Sequence, residues 1–190
     1  EGSQNKNKPY LFIKEYNTEG FEKFPIELSK GRLPQATGEV VISEEVAENT
    51  KVVYEMGDTI TLNIGQRIWT EGEGREEPLL QDTPLQSADD ETNEILIGEQ
   101  TKTYTVVGYI KRPIWEPAWA PGYTIIGYVD EGNIGQDETV DAFVVLNKIQ
   151  SSLYAHAEDL AKNNKIETVK FNNGLLRFYG VTDNDNLRAT

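Results

Sequence analysis

The chain has no cysteine and only one histidine and one methionine in 190 residues. Without cysteine there is no disulfide framework, no thiol nucleophile and no thiolate-bound zinc. That absence is compatible with the outer surface of a Gram-positive-type cell, and equally with a cytosol. One histidine is too few for a His-ligated metal cluster and leaves His156 as the lone candidate base of a Ser-His-Asp triad. Positive charge is also scarce: 18 Lys and Arg stand against 32 Asp and Glu, a net charge of -14. Nucleic acid is bound mainly through Lys and Arg, so it is excluded as a partner class, and docking on anionic lipid is disfavoured. No apolar run approaches the ~18–20 residues that cross a bilayer. The longest runs, 123–129 and 142–146, are strand-sized. No secretion leader opens the chain, which starts at Glu1 rather than Met. The expectation is an excised soluble piece whose targeting and membrane segments lie outside it.

What is present is a β-rich middle. Met56-Gly57-Asp58 is a turn signal feeding Thr59-Ile60-Thr61-Leu62-Asn63-Ile64. Its Ile and Leu residues fall on one face of a strand, its Thr and Asn residues on the other. Strands are predicted over 59–65, 103–112 and 123–130, with 10–16 and 40–42 upstream. Residues 1–9 are polar and read as a stalk or frayed end. Residues 21–34 read as a short helical or irregular stretch closing in a Gly31-Arg32-Leu33-Pro34 turn. Ser43 is placed as the N-cap of a brief helix ending near Asn49, with Glu44 and Glu45 in its first turn. Segment 66–102 holds ten acids against three bases, half of the net charge, and reads as a solvated loop extension.

The pattern changes after residue 135. A strand is predicted over 140–146. A helix is predicted over 148–163, with Ile149, Leu153, Ala157, Leu160 and Ala161 along one face. Asn163-Asn164 should end that helix in a left-handed conformation. A second strand is predicted over 166–171. This strand–helix–strand unit should pair with strand 10–16, making the fold class α+β with the β-rich middle as an insertion.

Candidate chemistry is thin. His156 lies on the predicted helix just before Glu158 and Asp159 and reads as a partly exposed helix residue rather than a catalytic one. Asp183-Asn184-Asp185-Asn186 resembles the opening of a calcium loop. Leu187 stands where the third ligand belongs and Arg188 where the turn glycine belongs, so a polar linker or cap fits better. Asp89-Asp90-Glu91 reads as a solvated face. Glu71-Gly72-Glu73-Gly74 lacks the Lys that would meet a phosphate. No catalytic, cofactor-binding or metal-ligating residue is assigned. The loop Ile114-Trp115-Glu116-Pro117-Ala118-Trp119-Ala120-Pro121-Gly122-Tyr123 is unusual in composition. Its Trp115, Trp119 and Tyr123 are candidate contacts for a substrate or partner. They could equally fold over the end of the β-rich part as a cap, which is the simpler reading.

The pieces Gly31-Arg32-Leu33-Pro34, Glu39-Val40-Val41-Ile42, Gly57-Asp58-Thr59-Ile60 and Tyr104-Thr105-Val106-Val107-Gly108 occur in a fixed order. Arg112-Pro113, Pro121-Gly122-Tyr123 and Asn173-Gly174-Leu175-Leu176 follow them. In that order and spacing, over 31–180, the chain resembles the extracytoplasmic (MacB-like periplasmic core) domain of an FtsX/MacB-like ABC-transporter permease. The resemblance implies a porter-like α+β lobe over 10–43 and 135–171, with an inserted, mostly-β, sabre-like lobe over 44–134. It makes 1–9 a stalk and 172–190 a lead to the next membrane helix. It also implies a place on the extracytoplasmic face of the cell membrane and no catalytic residue or cofactor here. ATP hydrolysis would belong to a cognate cytoplasmic subunit, the substrate would be a peptide, lipid or lipoprotein, and a permease dimer is compatible. The chain departs from short-hairpin members of the family by inserting 66–102. Specificity is expected in that extension and in the Trp115 loop. A surface adhesin or ligand-binding module without a transporter is the alternative reading.

Overall fold

A 17-residue strand, β7 (Glu94–Ile110), supplies backbone partners to three others. β2 (Leu28–Gly31) runs antiparallel to it, pairing Leu28 with Ile110 and Gly31 with Gly108. β3 (Glu39–Ser43) runs parallel to it, and β4 (Thr59–Trp69) antiparallel from Thr59 opposite Thr105 to Trp69 opposite Glu94. Beyond β3 lies β8 (Gly122–Tyr128), antiparallel, and then β1 (Tyr10–Tyr16), parallel to β8. The order is β1-β8-β3-β7-β2, with β4 alongside β7. Two short strands, β5 (Ser87–Ala88) and β6 (Glu91–Thr92), pair separately. The computed structural model describes residues 3, 5–50, 52–70, 78–88, 91–134, 140–144 and 146–182. The chain divides into two units, Glu1–Glu138 and Thr139–Thr190. The fold class is α+β.

β3 and β8 are buried on both faces, which is why Val40-Val41-Ile42 and Tyr123-Thr124-Ile125-Ile126 read as continuous rather than alternating runs. Val40, Ile42, Ile60, Leu62, Tyr104, Val106, Tyr123 and Ile125 form one cluster, which Val46 of α2 (Glu45–Thr50) joins. Val41, Ile126, Ile110 and Tyr16 form another. Phe21 of α1 (Thr18–Lys23), with Phe24, Ile26 and Trp115, packs on it. Val106 and Ile110 would share a face in a regular strand. A bulge at Val107, between the Val40–Val106 and Val41–Gly108 pairs, sends them to different clusters.

Gly31 and Gly108 make the closest backbone approach in this sheet. Gly31 has φ 82°, and a Cβ there would lie 2.4 Å from the Val107 carbonyl oxygen and 2.7 Å from Gly108 Cα. A Cβ on Gly108 would lie 2.6 Å from the Lys30 carbonyl oxygen. The loop that follows is closed by Arg32. Its Nη1 donates to Glu39 Oε2 at 2.7 Å and its Nη2 to Glu39 Oε1, while Gln35 N also donates to Oε2 at 2.9 Å. The guanidinium beside it holds the Glu39 carboxyl down at about 2.

Several expectations change in unit Glu1–Glu138. Strands 10–16 and 40–42 stand, the latter extended to 39–43. β4 and β7 take the two ends of segment 66–102, 66–69 and 94–102, into a hairpin. Composition averaged over 66–102 hid these strand ends, which hold only two of its ten acids, Glu94 and Glu99. Segment 21–34 contains the end of α1 and all of β2. Ser43 is not an N-cap: it ends β3, its Oγ is buried without a hydrogen-bond partner among the described residues, and α2 starts at Glu45. β1, β2 and β3, expected in the porter-like lobe, share a sheet with β4, β7 and β8, expected in the insertion.

In unit Thr139–Thr190, α3 (Leu153–Asn163) and α4 (Asn173–Phe178) meet around Leu153, Tyr154, Leu176 and Val181, with Ile149 and Phe171 against them. Tyr154 Oη donates to Asn173 Oδ1 at 2.9 Å, and Asn172 caps α4 by accepting from Leu175 N at 3.1 Å. The predicted helix is real but starts at Leu153. The left-handed residue after it is Lys165, with φ 56°, rather than an asparagine. The expected strands are not there: 140–144, 146 and 166–171 belong to no strand. Strand-prone composition does not make a strand without a ladder partner, and β1 pairs with β8 instead. Among the described residues, no helix is long and apolar enough to cross a membrane.

The two glycine turns separate steric from conformational cost. Gly57 has φ 93° with nothing within 4 Å of where a Cβ would stand, so Gly57→Ala should lose about 1 kcal/mol from backbone strain alone. Gly31→Ala adds the clash with Val107 and should lose at least about twice that. Urea denaturation midpoints of the two variants check the order; equal losses would contradict the close approach.

Candidate partner-binding surface

Two turns shape the aromatic loop, Glu116 N donating to Pro113 O and Ala120 N to Pro117 O, each at 3.0 Å. Trp115 is turned inward, edge-on to Phe24 with ring centroids 6.0 Å apart, and its Nε1 is buried without a hydrogen-bond partner among the described residues. Glu116 anchors the loop from below. Its buried Oε2 accepts from Thr124 N at 3.0 Å and Thr124 Oγ1 at 2.7 Å, and Lys8 Nζ lies 3.5 Å from Oε1. Tyr123 is 1% exposed, its hydroxyl accepting from Asn5 Nδ2 at 3.1 Å, and burial pushes its phenol pKa up. Lys8 also sits 5.0 Å from the Tyr123 ring centroid. Asn5 and Lys8, within the stretch 1–9 expected as a stalk or frayed end, are therefore tied to the loop, and Tyr10 N at the start of β1 donates to Pro121 O at 3.1 Å.

The three candidate contact residues thus part company. Tyr123 is core and Trp115 is a cap, so neither offers a ring to a partner in this conformation. Trp119 is 63% exposed and does. Its Nε1 donates to the Asp82 carbonyl oxygen at 3.0 Å, and Gln81 Nε2 donates to Thr124 Oγ1 at 2.8 Å. The loop and the acidic extension, picked out separately in the sequence, are joined here.

Arg67 explains why the extension lies where it does, and sequence reasoning missed it. The residue is buried. Its Nε and Nη2 donate to the two carboxylate oxygens of Glu94 at 2.8 and 2.7 Å, and its Nη1 donates to Leu80 O at 2.9 Å. The guanidinium carbon lies 5.1 and 5.5 Å from the Tyr10 and Phe12 ring centroids. Glu94 Oε1 also accepts from Gln86 N at 2.7 Å, and Leu79 N donates to Arg67 O at 2.8 Å. Segment 78–86 is thereby strapped to β4 and β7 by bonds to its backbone. Residues 67 and 94 lie far apart in sequence; the available signal was one base set beside Ile68 and Trp69 in an otherwise acidic stretch. Beside the loop, an open groove of about 350 Å³ runs between Pro25–Glu27 and Lys111–Ile114. Leu80 and Ile114 are also exposed.

His156 is exposed on α3. Among the described residues, no group of three or more His, Asp and Glu could hold a metal ion. Glu71-Gly72-Glu73-Gly74, Asp89-Asp90 and Asp183-Asn184-Asp185-Asn186 lie outside the described residues. No protein-family model, curated protein or solved structure matches the chain.

Removing one member of the buried pair leaves an uncompensated charge. Arg67→Met should lose about 3–5 kcal/mol, and Arg67→Met with Glu94→Leu distinctly less. Urea unfolding of both variants measures this. A double variant as unstable as the single one would show that the strap, not charge pairing, dominates.

Proposed function

We propose that the chain is the extracytoplasmic domain of an FtsX/MacB-like ABC-transporter permease subunit, a mechanical and recognition element without catalytic residues of its own. One observation carries this reading: three of the motifs behind the resemblance converge on a fourth, the strand Tyr104–Gly108. Gly31 meets Gly108, β3 with Val40 and Val41 runs beside Tyr104–Gly108, and Gly57 N donates to Val106 O at 2.8 Å. Turn-and-strand fragments matched by chance have no reason to dock on the same five residues of β7.

In this reading the six-stranded sheet carries the sabre-like insertion with the first segment of the porter-like lobe, and the remaining porter-like segment includes α3. Nucleotide hydrolysis by a cognate cytoplasmic subunit moves the domain through the membrane helices, to export, extract or sense a peptide, lipid or lipoprotein at the cell surface. Specificity lies on Trp119 and on the acidic extension 66–102, whose strap 78–86 it bonds. The acidic charge favours cationic over anionic partners, with an effect that weakens as salt rises.

The full coding sequence is the direct test. Apolar helices of ~20 residues on each side of this chain, with further membrane helices beyond, are expected. A secretion leader with a cell-wall anchor and no other membrane helix would instead make it a surface adhesin.

A further inference from the structure

Antiparallel ladders alternate between residues that bond their neighbour and residues whose N–H and C=O point away. Val106 N donates to Asp58 O at 2.9 Å, so the next pair, Thr59 with Thr105, is of the second kind. Thr105 N indeed donates away from β4, to Gly38 O at 2.7 Å. Thr61 opposite Thr103 and Asn63 opposite Thr101 follow in the same phase. The close Thr61 and Thr103 hydroxyls, 3.2 Å apart, fit the shorter side-chain spacing of such pairs. Thr59, Thr61 and Asn63 therefore direct their backbone groups to the outer edge of β4, where nothing pairs them among the described residues.

Other sheet edges carry charge, including the side of β7 that β3 leaves open before Thr105, which has Glu99 and Lys102. β1 carries Lys14 and Glu15, and β2 spans only four residues and carries Lys30. The far end of β4 is covered by the strap, through Leu79 N on Arg67 O. The stretch Thr59-Ile60-Thr61-Leu62-Asn63-Ile64-Gly65-Gln66 has no charge and no proline. From Thr59 to Ile64 it is a regular edge without charge, proline or bulge; the ladder shifts register only beyond Ile64, before Gln66.

We propose that this edge is an interface between two copies of the chain, joined antiparallel about a two-fold axis through Thr61. The residue pattern is self-complementary in that register. Thr59 meets Asn63 of the other copy and Thr61 meets its own mate, each pair closing two N–H···O bonds. Opposed residues share a face, so the Thr and Asn row continues across the junction and Ile60 stands opposite Leu62 on the core side. Charge does not oppose it locally. Asp58 falls opposite Ile64 of the other copy, leaving the two Asp58 carboxylates ~20 Å apart at strand rise, beyond the ~8 Å Debye length of physiological salt. The two-fold uses each edge once, so assembly stops at a dimer. The overlap is short and the pairing weak. It does not depend on the permease reading.

A chain without cysteine permits a background-free trap. Thr61→Cys places two thiols on Cα atoms ~5.5 Å apart across the axis, within disulfide reach. Thr103→Cys is equally exposed on the same face, but sits one strand further out on each side, beyond that reach. Under a glutathione redox buffer, Thr61→Cys should form disulfide dimer at least tenfold faster than Thr103→Cys. Thr61→Pro removes the outward donor while sparing every bond to β7, and Asn63→Lys puts a charge on the edge. In sedimentation at high concentration both should be monomeric where the parent chain self-associates. Equal trapping rates, or self-association persisting in folded Thr61→Pro and Asn63→Lys, would overturn the proposal.

Discussion

The backbone of β7 is the constraint on which the rest of the first unit depends. β2, β3 and β4 all take ladder partners from it, and β8 and β1 join through β3. Two local features let one strand serve so many neighbours. The bulge at Val107 turns successive apolar residues toward opposite clusters, and Gly108 allows Gly31 within a distance no side chain permits. A change at this crossing disturbs both clusters at once, whereas a change at the far end of β4 reaches the hairpin arm, the strap and the rings of Tyr10 and Phe12.

Polar contacts then fix what the core leaves free. Arg32 with Glu39 closes one loop, Glu116 with Thr124 and Lys8 holds another, and Arg67 with Glu94 secures the strap. These differ in kind. The first and last are both bidentate, but the first is partly solvated and closes one short loop, while the last is buried and ties β4 to β7 and to the strap. Buried pairs of this sort contribute more to geometric uniqueness than to net stability, because desolvation offsets much of their attraction. Here the geometry they select brings Asp82 to Trp119 and so builds a surface on which the two expected recognition segments meet.

What sequence reasoning could reach follows from range. Alternation and turn chemistry are local, and they located β1, β3, the start of β4 and β8, and the helix containing Leu153 and Ala161. Pairing is not local. The expected strand at 140–146 has apolar, β-branched residues but no ladder, and β1 found its partner in β8. The acidic extension looked like loop because its charge, averaged over 66–102, hid the strand ends at 66–69 and 94–102. Tyr123 and Trp119 lie four positions apart in one aromatic segment, yet one is core and one is surface; only the path of β8 decides which. Arg67 and Glu94 illustrate the limit most sharply, since their meaning arises from the register of β4 on β7.

Native-state hydrogen exchange, read residue by residue, tests the organising role of β7 most directly. Amides that bond across the shared crossing, such as Val106 to Asp58 O and Arg32 to Val107 O, should exchange only through global unfolding. Those in the arm, such as Thr70 bonded to Asn93 O, should exchange through cheaper local opening. Protection at Val106 no greater than at Thr70 would contradict the account.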